Sequence, residues 1–366
     1  MTFSMKTSIL AAQLMAGVAL FSSAAFAQEQ QKPNPLAETA DSGTMKRADK
    51  DMAVVLKKMQ ELGTKPIDSR SVAEARTQPS PADAVKAVLK DEGKTVPMPA
   101  VKTQDMTYPI ADGTQPLRIY TPENAGSGPL PVIVYYHGGG WVIADINTYE
   151  SSALALAEKT KAIVVSVEYR HGPEAKFPAA HQDAFAAYKW VIDNAKTFGG
   201  DPAKLAVVGE SAGGNLAANV AIMARDQKIE APLHMVLVYP VAGTDMNTAS
   251  YIANQNASPL SKGAMAWFVD KILAKPEDAM DPMLNLTTKA DLKGLPPATV
   301  ITAEIDPLNS DGVMMADKLK EAGVKTTYKN YMGVTHEFFG MDAVVANAKQ
   351  AQDFAASDLK AAFDTK

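Results

Sequence analysis

The chain has 366 residues, 46% hydrophobic and 21% charged, with a formal net charge of −5 at pH 7. This length and composition allow a full hydrophobic core in one large domain or two smaller ones. The net negative charge and the lack of any basic block argue against nucleic acid or an anionic membrane surface as a partner. There is no cysteine, so disulfides are excluded and the core alone must stabilise the fold.

Residues 1–27 have the pattern of a signal peptide. Lys6 supplies a positive charge, an apolar stretch runs from Ile9 to Phe21, and Ala25-Phe26-Ala27 forms a small-x-small cleavage site. The apolar stretch is short for a membrane span, and no later run reaches about 20 apolar residues. We therefore expect cleavage after Ala27, a periplasmic or secreted protein and no stable membrane insertion; an uncleaved anchor is the alternative.

Residues 28–46 are polar and contain proline, which predicts a mobile linker. Two helices are predicted within residues 47–96. The second begins with Ser80 as N-cap, followed by a proline, and Asp83 completes a capping box. Each helix has an apolar stripe that needs a cover, so we expect both to pack on the body of the protein as an N-terminal cap segment. The stripe of the first helix, which ends before Gly63, consists of Met52, Val55, Leu56 and Met59.

From residue 97 the pattern changes to short strands and then to strands that alternate with helices. This order predicts an α/β fold with a mostly parallel central sheet and helices on both faces. The predicted strands are Met106–Ile110, Leu117–Tyr120, Val132–Tyr136, Ile163–Val167, Leu205–Val208, Met235–Tyr239, Thr299–Thr302 and Thr326–Tyr331. The accompanying helices are Ala179–Ala195, Asn215–Ala224, Ser310–Ala322 and Met341–Phe363.

Residues 241–294 interrupt this alternation. They contain one amphipathic helix, Lys262–Leu273. Its apolar face consists of Met265, Phe268 and Ile272. An insertion of this size between two core strands predicts a cap over the C-terminal edge of the sheet, where ligands bind in open α/β folds. The main domain would then consist of residues 97–240 and 295–366.

A G-x-S-x-G pentapeptide, Gly209-Glu210-Ser211-Ala212-Gly213, lies between a predicted strand and a predicted helix. A serine pinned in that position adopts a strained, sharp turn that lifts its hydroxyl clear of the sheet. The flanking glycines allow the turn to close. Ser211 is therefore a candidate nucleophile; a glycine-rich turn in another kind of α/β protein is the alternative.

A serine nucleophile needs a base to take its proton, and the chain has only five histidines. In the α/β-hydrolase order, the acid follows the nucleophile and the histidine follows the acid. Three histidines precede Ser211, and His234 follows it too closely to leave room for the strand that carries the acid. His336, in the loop directly after the last predicted strand, is the candidate base; a solvated bystander is the alternative.

The acid should follow a core strand between Ser211 and His336. Asp306 does so. An acid there would bind the far ring nitrogen, fix the tautomer and stabilise the imidazolium. In the alternative, Asp306 only caps the next helix, and Glu304 or Asp311 is the acid.

The segment His137–Trp141, HGGGW, directly follows an apolar strand. Glycine backbone lets amides point into a site, and each preorganised N–H donor stabilises an oxyanion by roughly 3–4 kcal/mol. The amide of Ala212 would complete such a hole. A phosphate cradle is the alternative, but neither G-x-G-x-x-G nor G-K-S/T spacing is present. No H-E-x-x-H motif or Cys/His cluster indicates a metal, and we expect no cofactor.

In combination these segments resemble the bacterial hormone-sensitive-lipase-like esterases of the α/β-hydrolase superfamily, from about Pro97 to the C-terminus. The matching segments are HGGGW at His137–Trp141, YRHGPEAKFPAAHQDA at Tyr169–Ala184, GESAGG at Gly209–Gly214, AEIDPLNSDG at Ala303–Gly312 and THEFFG at Thr335–Gly340. The resemblance implies an α/β-hydrolase fold with a helical cap built from residues 47–96 and 241–294. It also implies the roles of nucleophile, acid and base for Ser211, Asp306 and His336, and an oxyanion hole formed by Gly139, Gly140 and Ala212.

The implied function is hydrolysis of short-acyl carboxylic esters through an acyl-enzyme, with a small-molecule ester as partner and neither cofactor nor metal. An amide, lactone or acetylated-sugar hydrolase with the same triad is the alternative; a long-chain lipase and a non-catalytic ligand receptor on this fold are further ones. Trp141, Glu210 and Phe338 are candidate pocket residues. Core packing is the alternative for Trp141 and Phe338, and a supporting position near the nucleophile for Glu210. The resemblance leaves open a homodimer joined through an edge strand.

Overall fold

The structure, a computed structural model, describes residues 43–126 and 128–364. Its centre is one eight-stranded sheet with the order β1-β2-β4-β3-β5-β6-β7-β8. The strands are β1 Val101–Ile110, β2 Gly113–Pro122, β3 Leu130–Tyr136, β4 Ile163–Val167, β5 Gly200–Glu210, β6 Met235–Val238, β7 Ala298–Ile305 and β8 Thr326–Thr335. Strand β2 is antiparallel to both β1 and β4, and all other neighbours are parallel. The predicted mostly parallel sheet is therefore confirmed.

The central strands are apolar because both faces of the sheet are covered. Strand β4 is buried along its whole length, as expected of a parallel strand between two helical layers. Along β3, Val132 and Val134 pack into one layer and Ile133 and Tyr135 into the other, because successive side chains of a strand alternate. Each such apolar side chain contributes roughly 1.5–3 kcal/mol on burial, so both layers hold the strand in register.

Helices lie on both faces of the sheet. The described helices are α1 (residues 43–47), α2 Lys50–Glu61, α3 Val72–Thr77, α4 Pro81–Asp91, α5 Glu150–Thr160, α6 Ala179–Asn194, α7 Ala212–Gln227, α8 Ala249–Ala253, α9 Lys262–Ile272, α10 Asn309–Glu321 and α11 Ala346–Phe363. Helices α6, α7 and α10 form one layer, and α5 and α11 form the other. Among the described residues, no helix combines the length and hydropathy of a membrane span.

The segments predicted to form a cap are helical and lie close together. The four apolar residues predicted for the stripe of α2 are all buried, and α2 packs on α4. Helix α4 begins with the predicted capping box of Ser80 and Asp83. Helix α9, from the insertion, packs on the 3-10 turn Ile67–Ser69. Both segments therefore contribute to one cavity beside Ser211.

Some elements differ from the prediction. Residues 43–47 are helical, so α1 includes residues 43–46 of the predicted linker. Helix α5 was not predicted, because it is buried on several sides and its sequence has no single apolar stripe. The last helix begins at Ala346 instead of Met341, since Phe338–Gly340 forms a separate 3-10 turn. The predicted signal peptide and the rest of the linker lie outside the described residues.

Candidate active site

The serine of the G-x-S-x-G segment lies in a sharp turn between β5 and α7. Strand β5 ends at Glu210, α7 begins at Ala212, and Ser211 between them has φ 57° and ψ −117°. This conformation is strained for a residue with a side chain. A Cβ at Gly209 would lie 2.0 Å from the carbonyl oxygen of Gly213, and one at Gly213 would lie 2.0 Å from a backbone oxygen of β3. The turn therefore requires both glycines.

Three buried side chains form a continuous hydrogen-bonded chain. The Ser211 hydroxyl donates to Nε2 of His336 over 2.9 Å, and Nδ1–H of His336 donates to Oδ2 of Asp306 over 2.7 Å. The other carboxylate oxygen of Asp306 accepts the N–H of Leu308 at 2.8 Å. The three residues follow β5, β8 and β7, so the parallel strands bring them to the same edge of the sheet.

The two alternative acids are engaged elsewhere. Asp311 accepts two backbone N–H groups at the start of the cap insertion, at 3.0 and 3.1 Å. Glu304 accepts the N–H of Gly333 at 2.8 Å. Of the three carboxylates, Asp306 is the one in contact with the ring of His336, so the geometry favours Asp306 as the acid.

The charges around His336 favour its protonated form. Burial by itself lowers the pKa of the ring, because it disfavours the imidazolium. The carboxylate of Asp306, followed by those of Glu337 and Glu210, acts in the opposite direction, and the net result is a raised pKa. The ring is therefore disposed to take the proton of the Ser211 hydroxyl.

The glycines after β3 form a tight loop beside Ser211. Gly139 has φ 93° and Gly140 has φ 59°. A Cβ at Gly139 would lie 2.2 Å from a backbone oxygen of its own loop, and one at Gly140 would lie 2.3 Å from the ring of Phe268. Within the described part of the chain, the N–H groups of Gly139, Gly140 and Ala212 have no protein acceptor. These amides are therefore available to receive an oxyanion.

A cavity of about 290 Å³ opens onto Ser211 between the sheet and the two cap segments. The N-terminal segment contributes residues from Met59 to Asp83 to its wall. The cap insertion contributes Pro259, Leu260, Met265 and Phe268. The nucleophile is thus reached through a largely apolar space closed by two separate parts of the chain.

Comparison with known proteins identifies the family. A family model described as alpha/beta hydrolase fold matches residues 133–340. The carboxylesterase NlhH of Mycobacterium tuberculosis is 38% identical over 276 residues, which cover 74% of this chain and 86% of that protein. The chain belongs to the α/β-hydrolase superfamily.

Further relatives agree with this assignment. The ethyl acetate hydrolase of Pseudomonas putida is 31% identical over 78% of this chain and 88% of its own length. The solved structure of the ester-hydrolase EH1AB1 from the metagenome of Lake Arreo has a TM-score of 0.77 and 36% identity, covering 87% of this chain and 100% of that one. The predicted α/β-hydrolase fold and the resemblance to hormone-sensitive-lipase-like esterases are confirmed.

Two of the candidate pocket residues lie in the core of this α/β-hydrolase and not in the cavity wall. Trp141 is 2% exposed and stacks on His181, with ring centroids 5.9 Å apart. The backbone at Trp141 is left-handed, with φ 59°. Phe338 is fully buried against Tyr239 and Tyr331. Neither side chain lines the catalytic cavity, and both occupy core positions of the kind that the core-packing alternative expects.

Glu210, the third candidate, lies behind the nucleophile. It is 1% exposed and accepts hydrogen bonds from the hydroxyls of Tyr135 and Tyr239, at 2.6 and 2.5 Å. Its burial raises the pKa of the carboxyl to about 7. Glu210 is the last residue of β5 and is not part of the wall of the catalytic cavity, so its hydrogen bonds support the end of the strand that precedes Ser211.

Tyr149 and Glu337 are among the polar side chains of the cavity wall that were not predicted as site residues from the sequence. The Tyr149 hydroxyl donates to both carboxylate oxygens of Glu337, at 2.6 and 2.7 Å. Oε1 of Glu337 lies 3.7 Å from Nε2 of His336. The sequence signals for Glu337 are its place directly after His336 and inside the matching segment THEFFG. Tyr149 has none, because it precedes the helix α5 that periodicity does not reveal.

One set of side chains in the part of the chain that the structure describes has the composition of a metal site. Nε2 of His137 and Nε2 of His171 each lie 3.2 Å from Oε1 of Glu168. His137 also donates from Nδ1 to the carbonyl of Gly138 at 2.8 Å. The cluster therefore ties the glycine loop to the end of β4, and the expectation that the protein uses no metal stays a prediction.

Proposed function

We propose that the protein is a serine carboxylesterase that acts on short-acyl esters through an acyl-enzyme. The observation that carries this proposal is the hydrogen-bonded chain Ser211–His336–Asp306 beside a cavity and three available amides. The relatives named as a carboxylesterase and an ethyl acetate hydrolase support the class of reaction.

In the acylation step, the Ser211 oxygen attacks the ester carbonyl carbon while Nε2 of His336 takes the hydroxyl proton. Asp306 holds Nδ1–H in place and stabilises the imidazolium. A serine hydroxyl does not ionise by itself near neutral pH, so the attack depends on this transfer. The raised pKa of His336 favours it.

The tetrahedral intermediate carries its negative charge on the former carbonyl oxygen, next to the N–H groups of Gly139, Gly140 and Ala212. As the intermediate collapses, the bond to the leaving oxygen breaks and Nε2 of His336 returns the proton to that oxygen. Water then attacks the acyl-enzyme by the same route, which releases the acid and restores Ser211.

The cap argues for a short acyl chain. The ring of Phe268 packs so closely on Gly140 that a Cβ there would meet it at 2.3 Å. Leu260 and Met265 also line the cavity. Its volume of about 290 Å³ is at the lower end of the roughly 300–1,000 Å³ found for ligand pockets. We therefore propose a preference for short acyl groups.

An amide, a lactone or an acetylated sugar would use the same three side chains, since only the leaving group differs. A non-catalytic receptor has no use for a base, so the contacts of His336 with both Ser211 and Asp306 argue against that alternative.

Hydrolysis of p-nitrophenyl esters from acetate to palmitate tests the proposal. We expect kcat/KM to peak at short chains and Ser211→Ala to lower kcat by several orders of magnitude, with circular dichroism showing that the variant is folded. A peak at palmitate would indicate a lipase. A folded wild type that is inactive on every chain length would contradict the esterase assignment and favour an amide, a lactone or the receptor.

The proposal extends to export and assembly. The pattern of residues 1–27 supports cleavage after Ala27 and a periplasmic or secreted enzyme. Mass spectrometry of the protein from a periplasmic fraction should find Gln28 at the N-terminus; an intact chain in the membrane pellet would contradict cleavage.

We place the catalytic domain in residues 97–240 and 295–366. We also propose a homodimer joined through edge strand β1 or β8. Light scattering would then give twice the mass of one chain.

A further inference from the structure

The carboxylate of Glu337 has few partners for a side chain that is only 20% exposed. Both oxygens accept the single hydroxyl of Tyr149, whereas an ionised carboxylate offers about four lone-pair positions. Nε2 of His336, at 3.7 Å from Oε1, is beyond hydrogen-bond distance. Because Glu337 is partly exposed and lines the catalytic cavity, its remaining lone pairs are accessible to a donor on a ligand.

The position of this carboxylate is set by its surroundings. Glu337 has φ 71° and ψ 4°, a left-handed conformation for a residue with a side chain, and the next residue, Phe338, is fully buried. Tyr149 cannot move toward the glycine loop, because a Cβ at Gly138 would already lie 2.3 Å from its hydroxyl oxygen. The acceptor is therefore preorganised, which lowers the entropy cost of binding a donor.

The position of His336 decides which part of the substrate meets Glu337. Nε2 of His336 returns the proton to the leaving oxygen, so that oxygen must lie beside Nε2 when the acyl-enzyme forms. Oε1 of Glu337 is 3.7 Å from the same nitrogen. The carboxylate is thus a neighbour of the alcohol part of the ester.

We propose that Glu337 selects esters whose alcohol carries a hydroxyl on the carbon next to the one bonded to the ester oxygen, that is, monoesters of 1,2-diols and larger polyols. This inference rests on the proposed esterase function. The two oxygens of such an alcohol are separated by three bonds, so one can accept the proton of His336 while the other donates to Glu337. An alcohol that carries a carboxylate is disfavoured, because like charges then meet at short range.

A second carboxylate in the cavity wall provides a matched control. Oδ2 of Asp83 accepts both the N–H and the hydroxyl of Ser80, at 2.9 and 2.7 Å. This oxygen caps α4, whereas the two oxygens of Glu337 share the hydroxyl of Tyr149. Asp83→Asn and Glu337→Gln therefore make the same chemical change at two carboxylates of the cavity wall, of which Glu337 is the one that lies beside Nε2 of His336.

The test compares 2-hydroxyethyl acetate with 2-methoxyethyl acetate, which differ in the hydrogen-bond donor. In the wild type we expect kcat/KM to be about tenfold higher for the hydroxyl ester, the effect of one hydrogen bond to a charged group. Glu337→Gln should reduce this ratio, Glu337→Leu should bring it close to one, and Asp83→Asn should leave it unchanged. Because each ratio is taken within one variant, general effects on the triad or the fold cancel.

Two failures are distinguishable. Equal kcat/KM values for the two esters in the wild type, or a preference that persists in both Glu337 variants, would overturn this inference and leave the esterase function intact. No hydrolysis of either ester, or of p-nitrophenyl acetate, would overturn the esterase function as well.

Discussion

Tyr239 donates a hydrogen bond of 2.5 Å to Glu210, the residue directly before the nucleophile. Tyr135 donates a second one at 2.6 Å, and all three side chains are buried. Burial, together with the nearby charge of Glu337, raises the pKa of Glu210 to about 7 in spite of these donors. The turn that carries the nucleophile is thus built over a carboxyl group that changes charge near neutral pH.

We expect Glu210 to make the free energy of unfolding decrease as the pH rises from about 5 to 8. The unfolded chain loses this proton near the ordinary value of 4.5 and the folded protein near 7, so the native state binds more protons in between. Such a difference corresponds to roughly 3 kcal/mol. Urea denaturation of the wild type and of Glu210→Gln at about pH 5 and about pH 8 measures this difference. The free energy of unfolding of the variant should decrease less between the two pH values than that of the wild type. Asp311 has a raised pKa too, so the comparison with the variant is decisive; identical declines would refute the role of Glu210.

Asp306→Asn should lower kcat by about 10³–10⁴-fold without unfolding the protein, because the amide does not stabilise the imidazolium or hold the required tautomer. Glu304→Gln is the matched control, since Glu304 precedes Asp306 by two residues and accepts the N–H of Gly333 instead of binding His336. Steady-state hydrolysis of p-nitrophenyl acetate distinguishes them. A severe loss in Glu304→Gln with Asp306→Asn nearly unimpaired would assign the acid to Glu304.

The pH profile of kcat/KM should have an acid limb set by His336. The ring must be neutral to accept a proton, so the rate falls as the pH drops through its raised pKa. Glu337→Gln removes one of the negative charges that raise this pKa, and the limb should move to lower pH. Asp83→Asn should leave it in place. A limb that stays fixed or moves upward in Glu337→Gln would contradict the charge effect.

Gly140→Ala should lower both kcat and the free energy of unfolding, because its Cβ would lie 2.3 Å from the ring of Phe268. Adding Phe268→Ala removes the clash but leaves the left-handed strain of about 1–2 kcal/mol, so part of the activity should return. Gly213→Ala instead meets the backbone oxygen of Tyr136 at 2.0 Å, which no side-chain change relieves. Kinetics and thermal denaturation of the three variants test these expectations. If the double variant recovers neither kcat nor stability, the ring of Phe268 is not the reason that position 140 requires glycine.

Local pattern predicts most of the fold. The bounds of β4 are those predicted, because a short β-branched run between turns is a local feature. The buried stripe of α2 and the capping box of α4 were equally accessible to sequence analysis, since each depends on residues within a few positions of one another. Helix α5 was not, because its surroundings bury it on several sides and remove the amphipathic signal.

By itself the sequence determined the class of fold and named Ser211 and His336 as candidates, because the pentapeptide and the order of elements along the chain carry that information. Only the tertiary structure placed Asp306, and neither Glu304 nor Asp311, against His336. The burial of Trp141 and Phe338 in the core is visible only in the tertiary structure. The same holds for the contact between Tyr149 and Glu337, which are 188 positions apart in the sequence. The direction of a side chain and its long-range partners follow from how the strands and helices pack, and neither periodicity nor motif spacing encodes that packing.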